Sequence, residues 1–196
     1  MKARSTKTAW LGSAVLAGTV FLAACGDSSG PDRLTTELLP VPGNPLVAFR
    51  ILTKIGTAED PTGKDGLCRL AWNLLAEGGS RLRTAEDISR AFFPMAASVS
   101  LSLDKETAVF SATIHRDNLA AFYALFKEML LDPGFREEDF NRLKAAQLAF
   151  VEKTLTGNMD EQFGKEILSL MLYEGHPFGR TDAGTVETVG GLTLDD

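Results

Sequence analysis

Gly56-Thr-Ala-Glu-Asp60-Pro-Thr-Gly-Lys-Asp65-Gly-Leu-Cys-Arg-Leu70-Ala-Trp-Asn-Leu-Leu75-Ala-Glu-Gly-Gly-Ser80 is the stretch on which the reading of this protein turns. Asp60-Pro61 and Thr62-Gly63 mark a loop. From about Gly66 to Glu77 the spacing changes to that of a helix. Leu67, Leu70, Ala71, Leu74 and Leu75 make an apolar face, and Gly78-Gly79 stops it. Arg69 and Asn73, four apart, share another face, with Trp72 between them.

This frame resembles the metal-site segment of the insulinase/pitrilysin metallopeptidases, the inverted zincins. There a loop and a Gly-Leu pair lead into a helix carrying His-x-x-Glu-His. Two imidazoles four apart grip one zinc ion, and the Glu acts as general base on the zinc-bound water. Where the family has His, Glu and His, this sequence has Arg69, Trp72 and Asn73. Arginine is permanently cationic. The indole has only an N–H donor and takes no proton from water. An amide oxygen is a poor zinc ligand beside thiolate, imidazole or carboxylate. The resemblance implies zinc in active relatives and none here. Asp60-Pro61-Thr62-Gly63-Lys64-Asp65-Gly66-Leu67 and Leu74-Leu75-Ala76-Glu77-Gly78 look like the non-catalytic members in particular.

The flanking sequence supports the same family. Pro40-Val41-Pro42-Gly43 and the strand after them look like its opening strands. Pro133-Gly134-Phe135 resembles a helix-breaking turn, and His176-Pro177-Phe178-Gly179 its His-Pro-aromatic-Gly motif. Leu192 to Asp196 resembles the lead-in to a further helix. The resemblance runs from about Leu39 to Asp196 and implies one incomplete peptidase domain. The family's third zinc ligand is a Glu on a later helix. Glu152 is the acid nearest that place, and a lone carboxylate holds zinc poorly. His176 is read as stabilising its turn, His115 as a surface residue.

The rest of the sequence reads in order. Leu46 to Ile55 is a strand, after the turn Pro42-Gly43-Asn44-Pro45. Thr84 is an N-cap for Ala85 to Phe93, with Asp87 three residues on. Ala97 to Leu103 alternates Val99, Leu101 and Leu103 against Ser98, Ser100 and Ser102. Thr107 to His115 completes a hairpin about Asp104-Lys105. Asp117 is expected to cap a helix with Leu119, Phe122, Phe126, Met129 and Leu130 on its apolar face. Glu137, Glu138 and Asp139 sit where acids favour a helix start. That helix continues through Phe140, Leu143, Gln147, Phe150 and Val151. Gly157-Asn158 is expected to interrupt, and a last helix carries Phe163, Ile167, Leu170 and Met171. The fold class is α+β: a layered antiparallel sheet with helices packed on it.

The first 24 residues read as a signal rather than as fold. Lys2, Arg4 and Lys7 precede an apolar run from Trp10 to Leu22, short for a span. Leu22-Ala23-Ala24-Cys25 resembles a bacterial lipoprotein box, which implies lipidation of Cys25; the alternatives are an ordinary signal peptide or a membrane helix. Residues 25–38 read as a tether and 39–196 as the domain. The expected place is the bacterial cell envelope, on the periplasmic side, anchored to either membrane.

The full sequence has a net charge of −6 with 44% hydrophobic residues. Losing the signal removes three cations and no acid. An acidic body argues against a nucleic-acid footprint, which needs a basic patch. Cys68, the second of two cysteines, is read as a buried apolar thiol without a disulfide. Three functions remain open: a non-catalytic homologue that pairs with an active zinc peptidase subunit and helps hold polypeptide; a truncated remnant; or an active zinc metalloendopeptidase. Peptide binding in an unrelated lipoprotein is a fourth.

Overall fold

Alternation in three short segments builds a three-stranded antiparallel sheet in the order β1-β3-β2. The strands are β1 (Leu46–Thr53), β2 (Ser98–Leu103) and β3 (Ala108–His115). A computed structural model describes residues 35–196. The signal, Cys25 and most of the tether lie outside the described residues. Residues 35–40 have no regular structure, and Val41–Asp196 form a separate unit.

Leu46 faces His115 and Thr53 faces Ala108; on the other side Ser98 faces Thr113 and Leu103 faces Ala108. This register puts Val47, Phe49 and Ile51 on the same face as Val99 and Leu101. The buried Phe110, Ala112 and Ile114 of the central strand join them. The serines of β2 fall on the open face, as the period of two requires.

Three helices cover the apolar face, and a fourth packs against the first of them. α1 is Leu67–Glu77, α2 Ala85–Phe92, α3 Leu119–Leu131 and α4 Glu137–Ala149. The α2 start is the expected one. Thr84 accepts from the Asp87 N–H, and Asp87 accepts from the Thr84 N–H, a complete capping box. Phe122 is fully buried with its ring centroid 5.2 Å from Phe92, 5.4 Å from Phe126 and 5.9 Å from Phe49. Each such aromatic contact adds roughly 0.5–1.5 kcal/mol beyond area burial.

α1 is packed on two sides. Trp72, Leu75 and Ala76 lie against the sheet core. Leu70 and Leu74 form a second core with Phe140, Leu143, Val189 and Leu192. Ala71, expected on the apolar face, is exposed; Trp72 takes the sheet side.

Several expectations are corrected. Asp117 caps no helix: residues Arg116–Asn118 make a 3-10 turn, and the Asp117 N–H donates to His115 Nδ1 at 3.3 Å. His115 is half-buried and closes that turn. α4 runs on into a π-helical segment, Phe150–Leu155, and a last turn, α5 (Thr156–Asn158). Gly157 and Asn158 are therefore helical, and the break falls at Met159, the boundary of α6 (Asp160–Leu172). Gly157 faces open space, so the turn tolerates it at only the modest cost of a helical glycine. A helix the sequence reading missed, α7 (Val186–Gly191), lies before Leu192. Thr185 and Thr188 form its capping box.

α6 differs from the other long helices. None of its 13 residues is buried. Leu168, Met171 and Leu172 are exposed at 55%, 74% and 68%. The apolar face read from its sequence exists and is uncovered in this unit.

Candidate functional site

The site is the start of α1 together with Arg69, Trp72 and Asn73 along it. Its approach is fixed by the hairpin tip. Thr57 and Ala58 donate backbone N–H groups to the carbonyls of Asp104 and Lys105 at 3.0 and 2.9 Å. The fit leaves no room at Gly56, where a Cβ would lie 2.4 Å from the Asp104 oxygen.

Asp60 then starts the helix. It is 4% exposed, and its carboxylate accepts from the Gly66 N–H at 2.7 Å and the Cys68 N–H at 2.6 Å. Two of the orphan donors of a helix N-terminus are thereby satisfied. Burial raises the Asp60 pKa above the usual 3.8, and the two N–H bonds oppose the rise. Gly66 adopts φ 93°, a left-handed conformation that suits glycine. A Cβ there would meet the Ala183 oxygen at 2.7 Å and Gln147 Nε2 at 2.8 Å.

Gln147 ties three segments at this point. From α4, its Nε2 donates to the carbonyls of Gly66 and Ala183, each at 2.9 Å. The segment after α6 closes over the loop. Arg180 donates to the Asp60 carbonyl and lies 3.8 Å from Asp65. Lys105 pairs with Asp182 at 2.7 Å, and the Thr57 hydroxyl donates to Asp182 at 2.6 Å. His176 Nδ1 accepts from the Phe178 N–H at 3.1 Å, so this imidazole shapes its turn.

Arg69, Trp72 and Asn73, the three positions singled out by the resemblance, all lie on α1. The Arg69 guanidinium carbon lies 5.2 Å from the centroid of the Phe150 ring. Trp72 packs edge-on to Phe110 with centroids 5.6 Å apart. Arg69 thus stacks on Phe150. Asn73 is half-buried. Glu152 lies exposed on the π-helical segment. A cation, an indole and an amide do not fit zinc. Among the described residues, no group of three or more His, Cys, Asp or Glu could hold a metal ion.

Cys68 is half-buried and free. Burial and the neighbouring Asp60 push its thiol up to about 11, with a hydrogen bond to Trp72 opposing. A thiol so placed is a poor nucleophile. Glu166 of α6 is also shifted upward, by burial and by Asp182, while Lys105 and Arg69 pull it down.

Sequence reading missed Asp60, Gln147, Lys105, Arg180 and Asp182. One signal was present: Gln147 interrupts the apolar row Phe140, Leu143, Val151. A polar residue in such a row must find buried partners. The others meet only in three dimensions.

No model of a known protein family matches the protein. It is 26% identical over 163 residues to an uncharacterised zinc protease of Streptomyces coelicolor, a match that covers 83% of this chain and 34% of that protein. It thus spans about a third of that relative's length. Among solved structures, a peptidase M16 inactive domain from Pseudomonas fluorescens superimposes with a TM-score of 0.69 at 24% identity, over 77% of this chain and 36% of that one. A protease from Helicobacter pylori gives 0.65 at 16% identity over 78% and 36%. Pitrilysin gives 0.63 at 16% identity over 79% and 16%. On its sheet and helix order and these likenesses, the described unit has the fold of the insulinase/pitrilysin peptidase domains.

Proposed function

We propose that this protein is a non-catalytic insulinase/pitrilysin-like lipoprotein that pairs with an active zinc peptidase subunit and helps hold its polypeptide substrate. The observation that carries this reading is an intact helix α1 bearing unsuitable side chains. Asp60, Gly66 and Gln147 build its start through hydrogen bonds and a close fit, while Arg69 and Trp72 pack on Phe150 and Phe110. The inactive Pseudomonas fluorescens domain of similar fold supports a role without chemistry. The uncovered apolar side of α6 supports a partner. Cys25 provides the lipid anchor on the periplasmic side of the cell envelope.

The test is the native mass and subunit composition of the full-length protein after extraction from membranes in mild detergent, with zinc analysis and mass spectrometry of residue 25. A complex with a His-x-x-Glu-His subunit, no zinc bound by this protein and a lipid on Cys25 is expected. A solitary, rapidly degraded product would sink the pairing reading in favour of a remnant. Stoichiometric zinc with peptidase activity would overturn it in favour of an enzyme.

A further inference from the structure

Arg69 stands apart from the other half-buried cations of the unit. Lys64, Arg83, Lys105, Arg136, Lys144 and Arg180 each donate to a carbonyl or a carboxylate. Arg69 has no hydrogen-bond or ion-pair partner among the described residues; the Phe150 ring lies 5.2 Å from the guanidinium carbon, and the Arg69 charge reaches Glu166 without pairing to it. Its five donors form a planar fork that fits a carboxylate, and the ring limits the tilt of that plane. The residue stands in the first turn of a helix whose backbone donors at Gly66 and Cys68 are already taken by Asp60. The open valence at this place is therefore the guanidinium.

We propose that Arg69 binds a carboxylate of a polypeptide held against α1, either an Asp or Glu side chain or the polypeptide's terminal carboxylate. This rests on the polypeptide-holding reading above. It gives that reading a substrate preference: a salt-bridging cation stands at the position of a metal-binding imidazole in the resembling family. The local field does not favour acids in general. Glu166 of α6 lies within the reach of the Arg69 charge. The selectivity therefore depends on the directed fork and is lost with it.

The experiment uses the full-length, detergent-extracted protein and fluorescently labelled extended peptides. One has a central Glu and an amidated C-terminus. A second has Gln instead of that Glu, also amidated. A third is the Gln peptide with a free C-terminal carboxylate. A charge-assisted hydrogen bond predicts at least about ten-fold tighter binding of the acidic peptide, the free-terminus peptide, or both, than of the neutral one. Which of the two binds identifies the source of the carboxylate. Arg69→Met should abolish the preference, and Arg69→Lys should keep part of it, since the charge remains and the fork is lost. Should Arg69→Met unfold, the wild-type comparison and Arg69→Lys still decide. Equal binding of all three peptides, or a preference that survives in Arg69→Met, overturns the carboxylate site and leaves polypeptide holding intact. No binding of any peptide overturns both.

Discussion

Gln147 donates its side-chain amide to the carbonyl of Gly66 at 2.9 Å, across 81 residues of sequence. The bond lies at the left-handed residue that turns the loop into α1. A second bond to Ala183 leaves the amide nitrogen fully used, while the Gln147 Oε1 atom finds no partner. Gln147→Leu would fill similar space and strand two carbonyls. A loss of roughly 1–3 kcal/mol is expected from urea unfolding. A neutral outcome would mean that the carbonyls are solvated.

Asp60 predicts a pH signature. Burial raises its folded-state pKa above 3.8, so the folded state binds this proton more tightly than the unfolded state. Its contribution to stability is largest below 3.8, falls as pH rises through the raised value, and is constant above it. In Asp60→Asn this titration is gone. The stability difference between wild type and variant should therefore shift against the wild type as pH rises from 3.8. A difference independent of pH across that window would show an unshifted carboxylate.

Cys68 predicts slow thiol chemistry. With its pKa raised from 9.0 to about 11, the thiolate fraction near neutral pH falls about 100-fold. In a Cys25→Ser background, alkylation by iodoacetamide should be slower by about that factor in the folded protein than in urea. Equal rates would place the thiol in solvent.

The exposed side of α6 predicts a separation of association from stability. Ile167 and Met171 are 41% and 74% exposed. Changing both to Glu should alter the unfolding free energy by no more than about 0.5 kcal/mol per site. It should also reduce self-association or partner capture, read by light scattering and co-purification. A loss of several kcal/mol would show that α6 is covered within this unit.

Much of the fold was legible because its signals are local. The serine–apolar alternation of β2 needs only the period of a strand. The Thr84 and Asp87 box needs only three residues of spacing. Asp117 failed as a cap because a neighbour, His115, offered its ring nitrogen to the same turn. Gly157 failed as a breaker because it lies in α5, the turn that continues the π-helical segment, where open space leaves only the modest cost of a helical glycine. α7 is short, and its apolar residue Val189 is buried in the core shared with α4 rather than marked by any pattern of its own.

The sequence by itself determined that α1 is a helix and that Arg69, Trp72 and Asn73 on it are side chains unsuited to zinc. Both follow from residue chemistry and spacing within a few turns. Only the tertiary structure decided what those side chains do instead. Arg69 meets Phe150 and Trp72 meets Phe110. Asp60 and Gln147 join distant segments at one helix start. Such pairings depend on how elements far apart in sequence are brought together, and packing sets that arrangement, not local spacing.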